Sequence, residues 1–179
     1  MYRVACEPCV FPSSMRQEVR VSSWTAPTDI PNPKHEDMRS INLIVIHCSA
    51  VRPDQTSSAR QIDQWHRQMR YKCIGYHYVI RRNGVVEQGR PVCDAGAHCG
   101  RIFNAHSIGV CYEGGLDING QPADTRTEAQ KLSMLNLLKS LVNKYPDSMI
   151  VGHRDLPGVH KACPCFDVGE WLDDVGFCI

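Results

Sequence analysis

Asn42-Leu43-Ile44-Val45-Ile46-His47 is the segment that most narrows the folds open to this 179-residue chain. Four aliphatic residues in a row, three of them β-branched, leave no polar face to turn to water. A run this short is a buried strand, and such strands belong to sheets covered by helices. Ser107-Ile108-Gly109-Val110-Cys111-Tyr112 repeats the pattern before Gly114-Gly115, and Met149-Ile150-Val151 gives a shorter third strand.

The intervening segments supply the helices. Ser58-Ala59-Arg60-Gln61 is a capping-box pattern, and Ile62, Trp65 and Met69 recur at helical spacing, which predicts an amphipathic helix over roughly 59–70. Thr127-Glu128-Ala129-Gln130 opens a second helix. Leu132, Leu135, Leu138, Val142 and Tyr145 are expected on its inner face, and Pro146 stops it. Asp167 caps a last helix carrying Trp171, Leu172 and Val175. Gly75 to Gln88 reads as a β-hairpin, with Tyr76–Ile80 and Val85–Glu87 flanking a two-residue Asn83-Gly84 turn. Residues 41–179 therefore predict a single α/β domain with a central mixed β-sheet flanked by helices.

Residues 1–40 stand apart. They hold five of the eleven prolines, at 8, 12, 27, 31 and 33, and carry no sustained periodicity. An irregular N-terminal extension of unassigned role is expected there.

Composition excludes several partners. The net charge of +1 gives no electrostatic footprint for nucleic acid or an anionic membrane. No apolar stretch approaches the roughly 20 residues of a membrane span. Met1-Tyr2-Arg3-Val4-Ala5-Cys6-Glu7-Pro8 lacks the apolar core of a signal peptide, so a cytoplasmic protein is expected. Its ten cysteines then read mostly as reduced thiols, with Cys48 and Cys111 as small buried hydrophobes. Cys6-x-x-Cys9 and Cys163-x-Cys165 are the close pairs to inspect.

Metal-binding side chains collect at element ends. His47 closes the first strand, His153 follows the strand at 149–151, and Cys163 lies ten residues further on. Two imidazoles and a thiolate form the borderline-soft set that zinc favours, and three protein ligands leave the fourth tetrahedral position open, as in catalytic sites. On residue chemistry alone, His66, His77, His98, His106 and His160 compete for the same places, as do nine other cysteines. Tyr76 reads equally as a packed hairpin tyrosine, Lys161 as a solvated loop lysine and Asp167 as a helix cap.

Six short segments lie in a telling order: Ile44-Val45-Ile46-His47-Cys48-Ser49, Gly75-Tyr76-His77-Tyr78, Asn83-Gly84, Ser107-Ile108-Gly109-Val110-Cys111, Gly152-His153-Arg154-Asp155 and Lys161-Ala162-Cys163-Pro164-Cys165-Phe166-Asp167. In them the chain resembles the type-2 N-acetylmuramoyl-L-alanine amidases, a domain shared with peptidoglycan recognition proteins. The resemblance runs from about residue 42 to 172 and is strongest to the short amidases that T-odd coliphages call lysozyme. It implies zinc held by His47, His153 and Cys163, and it selects Cys163 over Cys165, which occupies a variable position. It further implies Tyr76 and Lys161 as catalytic residues, and a substrate groove that includes His98 and His106. Many relatives carry glutamate where this chain has Cys111; the phage-type branch has cysteine there.

The implied reaction is hydrolysis of the amide between N-acetylmuramic acid and L-alanine in peptidoglycan or recycled muropeptides. The implied route to the wall is a phage holin or another release route. A non-catalytic peptidoglycan-binding module and a polymerase-binding regulator of the phage-lysozyme type are the alternatives. Oligomeric state and stem-peptide preference stay open at this level.

Overall fold

Five strands form one mixed sheet in the computed structural model, which describes residues 39–177. The extension expected over residues 1–40 thus falls almost wholly outside the described residues, as do Cys6, Cys9 and Cys178. The elements are β1 (Leu43–Cys48), α1 (Ala59–Gln68), β2 (Tyr78–Ile80), β3 (Val86–Gln88), α2 (Arg101–Asn104), β4 (Ser107–Tyr112), α3 (Glu128–Lys144), β5 (Met149–Gly152) and α4 (Val168–Asp174). Spatial order is β3-β2-β4-β1-β5. The β2–β4, β4–β1 and β1–β5 pairs are parallel, and β3 runs antiparallel at the edge.

The two apolar runs become the two central strands, and every residue of β1 and β4 is buried. Alternation splits their side chains between two cores. Ile44, Ile46 and Cys48 join Ile108, Val110 and Tyr112 under α3 and α4, where Met134, Leu138, Leu141, Trp171 and Leu172 close the layer. On the other face Leu43 and Val45 meet Cys99, Leu156 and Phe103 of α2, while Val79 and Cys111 meet Ile62 of α1. Each fully buried aliphatic side chain contributes about 1.5–3 kcal/mol. His47 projects into the second face, which is the side that carries the candidate centre.

Capping follows the sequence. Ser58 Oγ accepts the Gln61 N–H at 3.1 Å, and Thr127 and Gln130 form a reciprocal box. Leu138 is buried in the α3 face as expected, with Leu135, Val142 and Tyr145 packed against the core, and the face also takes in Gln130, Met134 and Leu141. Leu132, expected there too, is 54% exposed. Gln130 is tied to the sheet: its Nε2 donates to the carbonyls of Ile80 (3.1 Å) and Glu113 (3.0 Å), and its Oε1 accepts the Thr127 N–H.

The hairpin also departs from its expected turn. Arg81 N–H donates to Val85 O and Gly84 N–H donates to Arg81 O, both at 2.8 Å, so the loop is Arg82-Asn83-Gly84. Gly84 adopts φ +84°, the left-handed residue that such a three-residue loop requires. Tyr76 and His77 precede β2 but continue its pairing: His77 N–H donates to Gly109 O at 2.9 Å, and the His77 and Tyr76 carbonyls accept the N–H groups of Gly89 (2.8 Å) and Arg90 (2.9 Å). The short helix α2 was not anticipated; no side chain caps it.

Glu113, just beyond β4, is the centre of a buried ionic network. Its carboxylate accepts the N–H groups of Ser57 (2.8 Å) and Arg82 (3.0 Å) and pairs with Arg81 Nε at 2.9 Å. Arg81 also reaches Glu87 at 2.9 Å. Burial opposes ionisation of Glu113, but these hydrogen bonds prevail and hold its carboxyl below the usual range. The seven described cysteines are free thiols, and no helix among the described residues is long and apolar enough to cross a membrane.

Candidate metal centre

His47 sits at the C-terminal end of β1, paired with Cys111, and is 1% exposed. The β1–β5 pairing ends at Ile46 and Gly152, so the next residue, His153, emerges beside His47 in a single 3-10 turn, His153–Asp155. The two imidazole centroids are 4.5 Å apart. Gly152 makes the turn fit. Its N–H donates to Asp155 Oδ2 at 2.8 Å, and a Cβ there would lie 2.9 Å from Pro164 Cδ.

The third group arrives on a loop pinned at two points. Arg154 N–H donates to the Cys163 carbonyl at 2.7 Å, and Tyr112 OH donates to the Pro164 carbonyl at 2.7 Å. Cys163 Sγ then lies 3.7 Å from His47 Nδ1 and accepts the Cys48 N–H at 3.4 Å. One ligand atom from each of His47, His153 and Cys163 falls within 4.8 Å of the others.

The surroundings shift all three groups towards the deprotonated forms that a metal needs. Burial, followed by the charges of His98, His153 and Lys161, keeps the His47 pKa well below the usual imidazole value. Burial and Lys161 lower that of His153. A hydrogen bond from the Cys48 thiol holds the Cys163 thiol below its ordinary value against burial, helped by the Cys48 N–H and Lys161. Its neighbours move the other way. The bond to Cys163 pushes Cys48 up to about 12, and Cys165, hydrogen-bonded to Cys48 across 3.7 Å, is pushed higher. Of the three adjacent thiols, Cys163 alone is shifted towards thiolate, the form that ligates. Two imidazoles and a thiol shifted towards thiolate, converging on one point, fit a divalent metal with a taste for nitrogen and sulfur.

A cleft of about 460 Å³ opens beside the centre, with His98, Arg101, Ile102, His153, His160 and Lys161 among its walls. Lys161 is exposed on its rim. Tyr76 is half-buried, its ring centroid 5.0 Å from that of His47. Burial, then the thiols of Cys111, Cys163 and Cys48, push its phenol pKa well up, so it is a standing hydrogen-bond donor. Cys111 is fully buried among Ile62, Ile74 and Val79 and supplies no charge.

Two sequence-level groove residues separate here. His98 lines the cleft, but its Nδ1 is 3.0 Å from His47 Nε2. His106 is not among the cleft residues; its ring packs on Phe103, centroids 6.3 Å apart. Asp167 both caps α4 through the Glu170 N–H (2.9 Å) and pairs with Arg154 (2.9 Å), which steadies the turn that presents His153.

Comparison with known proteins places these residues in a family. The family model for N-acetylmuramoyl-L-alanine amidase matches residues 37–166. The endolysin of Enterobacteria phage T3 is 41% identical over 130 residues, covering 73% of this chain and 84% of that protein. The endolysin of Escherichia phage T7 is 39% identical over 134 residues, covering 75% and 87%. Among solved structures, the N-acetylmuramoyl-L-alanine amidase LysC from Clostridium intestinale superimposes with a TM-score of 0.64 at 29% identity, over 77% of this chain and 87% of that one. His47, His153, Cys163 and the whole cleft lie inside the matched range, and the chain belongs to the N-acetylmuramoyl-L-alanine amidase family.

Proposed function

We propose that residues 41–179 form a zinc-dependent hydrolase of the amide bond between N-acetylmuramic acid and L-alanine in peptidoglycan, with zinc held by His47, His153 and Cys163. The observation that carries the proposal is the convergence of two nitrogen donors and one sulfur donor within 4.8 Å, beside an open cleft, in a chain of this family. Zinc in such a site supplies Lewis acidity towards the amide carbonyl and a water whose pKa falls towards about 7.

The chain's own groups do the rest. The Lys161 ammonium already acts on the centre, since its charge lowers the pKa values of His47, His153 and Cys163. The same charge stabilises the anion that develops on the carbonyl oxygen, an effect worth about 3 kcal/mol once substrate covers it. Tyr76 is held towards its protonated form beside His47, so its hydroxyl is placed to donate to the reacting oxygen or to meet the leaving amine. The exposed Ile102, together with Phe103 and Val159, gives the cleft an apolar wall for the sugar and stem peptide.

A recognition-only role has less support, because all five site residues are present. The protein reaches the wall from the cytoplasm through a holin or another release route.

Lys161→Ala and Tyr76→Phe are expected to lower kcat about 100-fold while zinc content stays unchanged. Mass spectrometry of muropeptide digests checks this. The wild type should release peptides with a free L-alanine amine and leave the lactyl carboxylate on the glycan. Undiminished turnover in both variants would remove these residues from the mechanism.

A further inference from the structure

We propose that His98 is a positioning residue, which fixes the tautomer and orientation of His47 through a hydrogen bond and is itself wedged in place by Gly96 and Gly109. The inference rests on the zinc reading above and adds a residue to it.

Metal binding at His47 Nδ1 selects one of the two assignments open to this hydrogen-bond chain. His47 Nδ1 faces Cys163 Sγ at 3.7 Å, and His47 Nε2 is 3.0 Å from His98 Nδ1. A ring nitrogen binds a metal only when bare. If Nδ1 is the ligand, the His47 proton sits on Nε2 and is donated to His98 Nδ1. His98 then carries its own proton on Nε2, which faces Ser107 Oγ at 3.4 Å. Every ring nitrogen in the chain is used, whereas the opposite tautomer of His47 would put a proton on the nitrogen that faces Cys163 and leave none bare for the metal.

The second observation is the fit around His98. A Cβ at Gly109 would come 2.6 Å from His98 Cδ2, and one at Gly96 would come 2.6 Å from His98 Nε2. Neither contact is one a Cβ can make, so the ring occupies space that only glycine leaves. Neither glycine has a left-handed φ, so ring clearance and not backbone conformation requires them. Gly109 is fixed in β4 opposite Val45, and its N–H donates to His77 Nδ1 at 2.9 Å. His77 Nε2 in turn reaches the Asp94 carbonyl at 3.1 Å, and the His77 ring meets His98 edge-on with centroids 5.7 Å apart. The result is a rigid wall behind His47, which suits a group whose task is orientation. Partners of this kind typically change metal affinity by about 10–100-fold.

The test measures zinc affinity of the full chain by competition with a chromophoric chelator, for wild type, His98→Leu, His98→Asn, His98→Gln and Gly109→Ala. Asparagine carries its oxygen on Cγ, where Nδ1 stands, and keeps the acceptor; the glutamine oxygen sits one bond further out. His98→Leu, His98→Gln and Gly109→Ala are expected to weaken zinc binding about 10–100-fold, with His98→Asn recovering most of the loss. Cobalt substitution gives a second readout: the visible spectrum of His98→Asn should match wild type and that of His98→Gln should not. Should His98→Leu fail to fold, the asparagine–glutamine pair decides alone. Equal zinc affinity in wild type, His98→Leu and His98→Gln overturns the positioning role and leaves the zinc reading standing. A wild type that binds no zinc overturns both.

Discussion

Cys163→Ala is expected to abolish zinc binding and reduce peptidoglycan hydrolysis to the level of the metal-free protein, while Cys165→Ala leaves both close to wild type. The two thiols are two residues apart, but their surroundings set them in opposite states. Cys163 accepts hydrogen bonds from the Cys48 thiol and N–H, feels the Lys161 charge, and is held towards thiolate. Cys165 bonds to Cys48, and its pKa is pushed up. Only Cys163 joins His47 and His153 within 4.8 Å. Losing a ligand from a three-residue site leaves two imidazoles, too few to retain zinc against a modest chelator. Zinc analysis after gel filtration, run beside a turbidity assay on cell walls, reads both effects. Loss of zinc from the Cys165 variant but not from the Cys163 variant would reverse the assignment.

The second large effect concerns stability. Glu113→Ala is expected to destabilise the domain by about 2–4 kcal/mol, because it strands the N–H groups of Ser57 and Arg82 with no acceptor and leaves Arg81 only its pairing with Glu87. That is a large share of the roughly 5–15 kcal/mol available to a typical domain. Glu113→Gln keeps the shape but loses the charge, so its effect at neutral pH is smaller.

The pH dependence separates charge from packing. The folded carboxyl titrates below the usual range, so its contribution is complete above the unfolded pKa and disappears as pH falls through the folded one. Urea unfolding of wild type and Glu113→Gln should therefore differ most above about pH 5 and converge on acidification. A gap that stays constant down to acid unfolding would show that the ionised carboxylate contributes nothing of its own.

How far the sequence carried depends on where each residue's partners lie. β1 and β4 were legible because an all-apolar run has few alternatives, and α1 and α3 began where Ser58 and Thr127 cap them. Most of the inner face of α3 was legible too, Leu132 excepted, but not the place of Gln130, which answers to carbonyls at Ile80 and Glu113 that no helical periodicity records. Asn83-Gly84 marked the turn correctly, but the loop took in Arg82 as well. The candidate trio His47, His153 and Cys163 was legible in kind, while its choice among eight histidines and ten cysteines needed the ordered family segments. Glu113 and His98 were not legible in role. Glu113 works through Ser57, 56 residues away, and His98 through His47, 51 residues away, and such pairings exist only after the sheet has formed.

The most direct test joins metal analysis to a muropeptide digest of the purified chain, before and after chelation. The account predicts stoichiometric zinc in the active protein, no cleavage of the lactyl–L-alanine amide once zinc is stripped, and recovery on adding zinc but not magnesium. Cleavage that persists after complete zinc removal would contradict it.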